Sequence, residues 1–194
     1  MLILSKDLKT LETYKLLTGV VVPRPIAWVS TLSKDGVTNL APFSCFTFVS
    51  NKPPLLGINI GQLNRKRKDT AVNMAETGEF VVNIGNDSQI EPLHNSAEEY
   101  PPEVSEIDVL GLHTLPSQFI HAPRLAEAPI QMECKLHSIT PFGEGVSEFF
   151  VGEVLAFHIA DDVISNGKVD TAKLRPICRL AGPNYAKLGE IIAV

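Results

Sequence analysis

The longest organised stretch of the chain, residues 20–50, alternates between apolar and small polar positions in the way of a half-buried strand pair. Residues 26–32 are apolar and rich in β-formers. Ser33-Lys34-Asp35-Gly36 is turn chemistry, with Asp-Gly supplying the residues that tolerate φ > 0. The chain returns from Val37 as a second strand, and Pro42, which has no N–H to donate, interrupts its ladder. Ser44, Cys45 and Thr47 then follow among Phe43, Phe46 and Phe48. Two readings fit this pattern. One is an ordinary β-hairpin with an edge proline; the other is a broken strand whose small polar and aromatic groups form a wall for a flat ligand.

Outside that stretch the pattern is mostly strand-like. Leu8, Leu11, Tyr14 or Lys15, and Leu17 give a short stripe at helical spacing, stopped by Gly19, and predict a helix over 10–17 that covers one barrel edge. A loop at Asn51-Lys52-Pro53-Pro54 precedes a third strand at 55–60. A helix is predicted over 70–76, with Asp69 as N-cap and Gly78 at C′. Residues 79–84 read as a fourth strand. Residues 88–100 read as a helix with Ile90, Leu93 and Ala97 on one face, ended by Tyr100-Pro101-Pro102. Residues 101–129, rich in proline, read as an excursion over the barrel surface with a helical turn near 105–110. Residues 130–140 and 148–160 are the two strongest later strands, with Phe142-Gly143-Glu144-Gly145 as the turn between them. Residues 161–173 are polar and irregular, and the tail 177–194 carries a breaker at Gly182-Pro183. Six or so strands with few crossover helices imply a mainly β fold, an antiparallel closed or split barrel with short peripheral helices, in one domain over 1–194.

Composition narrows the function. The 194 residues are 44% hydrophobic and 20% charged, enough for a packed core. A net charge of −5 argues against a nucleic-acid partner. No apolar run approaches the roughly 20 residues that span a bilayer, and the first dozen residues resemble neither a signal nor a transit peptide. Three widely spaced cysteines, Cys45, Cys134 and Cys178, form no disulfide framework and no zinc pattern. A cytoplasmic protein is the expectation.

One charge run stands out. Arg65-Lys66-Arg67-Lys68 leads into Asp69, Thr70 and the predicted helix. A helix N-terminus offers unpaired N–H groups and the positive end of the dipole, so cations beside it make an anion site suited to a phosphate. The other reading is a solvated basic loop; no Gly-rich Walker pattern is present. The remaining chemistry is sparse. There is no Gly-x-Ser-x-Gly, His-Glu-x-x-His or Gly-x-Gly-x-x-Gly, and none of the five histidines stands at metal-ligand spacing, so no metal site is expected.

Arg24-Pro25-Ile26-Ala27-Trp28-Val29-Ser30-Thr31, followed by Asp35-Gly36-Val37-Thr38-Asn39-Leu40-Ala41-Pro42-Phe43-Ser44, resembles the signature of the flavin reductase-like, FMN-binding split-barrel family, its longer flavoredoxin-type members above all. The likeness continues through Lys68-Asp69-Thr70, Gly78-Glu79-Phe80-Val81-Val82-Asn83, Val151-Gly152-Glu153-Val154 and Arg179-Leu180-Ala181-Gly182. By this resemblance Asn39, Leu40, Ala41 and Pro42 run along the edge of a flavin ring, their backbone N–H groups reaching its carbonyls and N5. Ser44 and Cys45 lie near the ring, Ser30 and Thr31 hold phosphate or ribityl hydroxyls, and Lys68, Asp69 and Thr70 form the phosphate site. Trp28 is a ring neighbour or core; Arg24 closes the site or forms an ion pair; Arg179 approaches from the C-terminal strand. Cys45 is a space-filling thiol or a redox group without a resolving partner. The implied cofactor is FMN, with FAD possible and NAD(P)H as possible electron donor. A flavin supplies its own redox chemistry, which accounts for the sparse catalytic groups.

The short reductase-type members carry a Gly-Asp-His segment before the Val-Gly-Glu-Val strand, and here Ser147 stands where that histidine would fall. Three functions remain open: an NAD(P)H-dependent flavin reductase serving a redox partner protein, a flavoredoxin-like carrier that keeps its FMN, and a split-barrel binding module without redox chemistry. A homodimer with flavin near its interface is expected, because Phe43, Phe46 and Phe48 are more aromatics than one small wall requires.

Overall fold

The structure is a computed structural model that describes residues 1–143 and 147–193. Its core is one sheet of seven strands, all antiparallel: β1 (Ala27–Leu32), β2 (Thr38–Phe43), β3 (Phe46–Asn51), β4 (Pro54–Gly61), β5 (Glu79–Ile84), β6 (Ile130–Phe142) and β7 (Ser147–Ile159). Their spatial order is β2-β1-β5-β6-β7-β4-β3. The two edges, β2 and β3, are separated in sequence by Ser44 and Cys45 alone, so the chain itself pulls the edges together and the sheet curls. One backbone bond, from Asn59 N–H to the Cys45 carbonyl, marks the join. The expected split barrel is the architecture found.

The first hairpin forms as its turn chemistry requires. Gly36 takes φ +82°, and Ser33 accepts from Gly36 N–H at its carbonyl and from Val37 N–H at its hydroxyl. Pro42 does not break β2 but sits in register opposite Trp28. Because β2 is an edge strand, the missing N–H there costs no ladder bond. What the sequence pattern presented as one interrupted strand is therefore two, with the edges of the sheet on either side of the break. Asn51 and Pro54 close the tight β3–β4 hairpin.

Inner and outer faces follow the strand alternation. Ala27, Val29, Phe43, Ile58, Phe80, Val82, Met132, Cys134 and Phe150 fill the barrel. Burial pushes the Cys134 thiol pKa up, so that residue is a packing group. Gly152 is needed for close approach, since a Cβ there would run into the Phe80 ring. The helix α2 (Asp69–Thr77) crosses from β4 to β5 and packs Ala71 and Met74 on the inner core. It ends at Gly78 in the left-handed region, as expected, but Lys68 rather than Asp69 occupies the N-cap position and no side chain caps it.

The outer face of β1, β5 and β6 is covered by the excursion 101–129. A second core of Ile26, Trp28, Leu40, Leu93, Ile107 and Leu125 lies beneath it. Polar side chains of the strands hold the excursion's backbone. Ser30 donates to the Pro123 carbonyl, Asn83 accepts from Leu125 N–H, Glu133 accepts from Gln118 and Phe119 N–H, and Glu79 accepts from His121 N–H.

Two helices differ from expectation. Helix α1 (Thr10–Val20) runs through Gly19 and buries no residue, so it does not cover a barrel edge within one chain. The helix expected over 88–100 is α3 (Ile90–Asn95), because Ser96 turns inward to accept from the Trp28 indole N–H at 2.8 Å. Helix α4 (Glu106–Val109) matches the expected turn and is capped by Ser105, whose hydroxyl accepts from Asp108 N–H. Residues 161–173, expected to be irregular, form a 3-10 turn, a two-residue ladder and the start of a helical turn that ends at Leu174. The turn expected after Phe142 falls mainly on residues outside those described. Near the C-terminus, Ile177–Arg179 pairs with Tyr185–Lys187.

Candidate functional site

A cleft of about 540 Å³ opens between the edge of β2, the segment leading into α2, and residues 96–106. Six of the residues singled out from sequence line it: Asn39, Ala41, Pro42, Lys68, Asp69 and Thr70. The basic run reaches it by a tight turn. Leu63 and Lys66 exchange both backbone bonds, with Asn64 and Arg65 at positive φ between them. The four cations then separate in role. Arg65 sits in the turn. Arg67 is clamped by Glu148, its Nε at 2.8 Å, and that hydrogen bond raises its pKa further. Lys66 and Lys68 line the cleft without a carboxylate partner among the described residues, and Lys68 Nζ stands 5.8 Å from the centre of the Phe43 ring. The anion-site reading thus rests on two lysines and the N-terminal turn of α2.

The ring-edge and phosphate blocks, distinct in sequence, are joined in space. Asn39 Nδ2 donates to Thr70 Oγ1 at 2.8 Å, and both are buried. One turn further along α2, Asn73 donates to Thr31 Oγ1 at 3.0 Å. These bonds fix the start of α2 to β1 and β2 and set the height of the cleft floor.

Five of the eleven singled-out residues do not line the cleft. Thr31 is buried under α2. Ser30 is buried on the opposite face, where it donates to Pro123 and accepts from Asn83. Leu40 puts its side chain in the outer core. Ser44 lies at the β2–β3 corner and accepts from Arg24 Nε at 3.3 Å, and Cys45 is exposed beside it. For Ser30 and Leu40 this follows from period-two alternation, which turns them to the face opposite Thr31 and Asn39. The same alternation governs the backbone of β2. Leu40 N–H points away from β1, since it donates to Glu106 Oε2 at 2.9 Å. Asn39 and Ala41 therefore turn their N–H groups toward β1, and Pro42 has none. The outward donors expected along the Asn39–Pro42 edge reduce to one.

Arg24 forms no ion pair among the described residues. Its guanidinium donates to the carbonyls of Thr18, Val21 and Leu180, and its backbone bridges to Arg179, tying α1 and the C-terminal ribbon to the barrel. Arg179 stacks over Tyr185 at 4.6 Å. Trp28 is core and fully buried.

Glu106 was not singled out from the sequence. It is buried, lines the cleft, and holds the outward N–H of β2. Burial pushes its pKa up, against the hydrogen bonds from Leu40 N–H and from its own N–H, and the nearby Asp69 pushes it further. Asp69 is itself raised by burial. The one signal for Glu106 is its place just after Ser105, a good N-cap, but nothing local says which way that short helix faces.

A model of the flavin reductase-like domain matches residues 19–173. The chain belongs to the flavin reductase-like family. An uncharacterised Halalkalibacterium halodurans protein is 43% identical over 188 residues, covering 94% of this chain and 90% of its own length. Among solved structures, nitrilotriacetate monooxygenase component B from Bacillus cereus superposes with a TM-score of 0.97 at 39% identity, covering 100% of this chain and 98% of that one. The 2-nitrobenzoate 2-nitroreductase NbaA of Pseudomonas fluorescens follows at 0.92 and 32%, covering 100% and 95%. The flavoredoxin of Desulfovibrio vulgaris (Miyazaki F), 19% identical at TM-score 0.80 over 100% and 97% of the two chains, shares the fold. For a flavin reductase-like chain, an edge strand facing a lysine-flanked helix start is a polar frame of the right chemistry for a flat, phosphorylated ligand.

Proposed function

We propose that this protein binds FMN in the cleft and works as an NAD(P)H-dependent flavin reductase that supplies reduced flavin or electrons to a partner. The observation that carries the reading is the convergence of the β2 edge, Lys66, Lys68 and the first turn of α2 on one cleft. Lys68 and the N–H groups at Asp69 and Thr70 would hold the phosphate. The β2 edge would border the ring, and the Asn39–Thr70 bond would keep the two ends at a fixed spacing. A bound flavin would supply the electron chemistry itself. The likeness to a monooxygenase component B supports a partner oxygenase as the acceptor.

Ser147 supports a second reading, a flavoredoxin-like carrier that holds FMN as a prosthetic group. At the position where reductase-type members have histidine, this serine donates to Asn59 Oδ1 at 2.9 Å. We further propose a homodimer with flavin near its interface. Phe43 and Phe46 pack into the barrel, leaving Phe48 of β3 exposed. Leu11, Tyr14 and Leu17 of α1 add an apolar face with no cover in one chain.

Anaerobic addition of NADH and NADPH to the FMN-loaded protein tests the reading. Loss of the oxidised flavin's visible absorption with either nicotinamide supports the reductase. A yellow protein inert to both, yet reduced by a protein donor, supports the carrier. Failure to bind FMN at all overturns both.

A further inference from the structure

In the cleft, Glu106 fills a position that a ligand would be expected to use. It takes the one outward backbone N–H that the β2 edge offers there, Pro42 being unable to donate. The short helix that carries it is braced to β2 by the Thr38–Ser105 hydroxyl pair at 2.7 Å and by Ser105 as N-cap. Its backbone therefore has little freedom to withdraw, and only the side chain can release the donor. We propose that Glu106 is a specificity residue of the cleft, a carboxylate that competes with the ligand for Leu40 N–H and makes binding of a carbonyl-bearing ring depend on its protonation. This inference rests on the flavin reading of the site.

The physical argument is one of linkage. A carboxylate draws stability from an N–H donor and loses it when a ligand's carbonyl takes that donor. The protonated acid needs the donor less and can donate to the ligand itself. Ligand capture of Leu40 N–H thus favours the protonated form, and by reciprocity a lower pH favours the ligand. Burial and Asp69 already favour that form in the free protein. The other charged or titratable groups lining the cleft are Lys66, Arg67, Lys68, Asp69, Glu98, Glu99 and Tyr100; β2 contributes none, and α4 itself adds Asp108. Among the described residues no histidine lines the cleft, and Asp69, which burial also raises, is the rival whose titration must be separated from that of Glu106.

Riboflavin is the probe, since it carries no phosphate to titrate. Its affinity for the full chain is measured by fluorescence from about pH 5 to about pH 8, with FMN alongside, in the native protein, Glu106→Gln and Asp69→Asn. The native protein is expected to bind riboflavin about three- to tenfold tighter at the acid end, the range for a coupling of up to one pKa unit. Glu106→Gln should abolish that slope, while Asp69→Asn should keep most of it. In the free native protein the Leu40 amide resonance should move with pH, and in Glu106→Gln it should stay fixed. A native affinity independent of pH, an undiminished slope in Glu106→Gln, or a slope lost only in Asp69→Asn overturns the proposal and leaves FMN binding standing. No binding of either flavin at any pH overturns it together with the flavin reading.

Discussion

Two buried glutamates, Glu133 and Glu106, occupy opposite situations in the same barrel. Glu133 stands on β6 under the excursion, fully buried, and accepts from Gln118 N–H at 2.8 Å, Phe119 N–H at 2.7 Å and His158 Nε2 at 2.7 Å. Burial alone would push its pKa up; the three donors outweigh burial and hold it below the ordinary glutamate value. Glu106 is also buried; the N–H groups of Leu40 and of its own backbone hold its pKa down, but burial, with Asp69 as a repelling neighbour, outweighs them and its pKa rises. The balance differs: three donors stand against burial at Glu133, and two against burial and a neighbouring carboxylate at Glu106. A carboxylate given enough N–H groups becomes a fixed structural acceptor, and one left short of them at a cleft wall keeps the capacity to change state.

Removing the supplied carboxylate should have the largest effect. Glu133→Gln keeps one acceptor oxygen but turns an amide NH2 toward a donor. It is expected to cost about 3 kcal/mol in urea denaturation at neutral pH, in the range for breaking a buried charge-assisted network. A loss below about 1 kcal/mol would erase the contrast with Glu106.

The pH dependence of stability should come next, with opposite signs at the two sites. Glu133 has a folded-state pKa below that of the unfolded chain. Its contribution is present above the ordinary glutamate pKa of about 4.3 and disappears as pH falls through the lowered folded value. Glu106 has a folded-state pKa above the unfolded one. The folded protein binds that proton more tightly, so stability falls as pH rises through the window from the ordinary value to the raised one. Denaturation of the native protein, Glu133→Gln and Glu106→Gln across that range should show one difference curve closing toward acid and the other opening toward neutrality.

Smaller still is the expected effect of Glu106→Gln at pH 7: a gain of up to about 1 kcal/mol, since the amide removes a poorly supported charge while keeping an acceptor for Leu40. A loss of stability would mean that the carboxylate is better supported than its contacts indicate. Glu79→Gln, at the more exposed clamp on His121, should cost about 0.5–1 kcal/mol by the same denaturation.

Local signals determined much of this molecule. Asp35-Gly36 set the first hairpin, Gly78 ended α2, and alternation over 79–84 and 130–140 marked the central strands, because turn chemistry and side-chain period act over a few residues. The family blocks also pointed to Asn39–Pro42 and Lys68–Thr70, which the fold gathers into one cleft. Tertiary structure alone decided the rest. Only the meeting of sheet edges made β3 a separate strand, and only Trp28 reaching Ser96 ended α3 early. Ser30 went to the outer face of β1 and Thr31 beneath α2, both away from the cleft, and Glu148 removed Arg67 from the free cations. Glu106 and Glu133 are the sharpest case. Glu133 stands between Met132 and Cys134 and Glu106 between Ser105 and Ile107, and neither setting tells how many N–H donors residues distant in sequence bring to each.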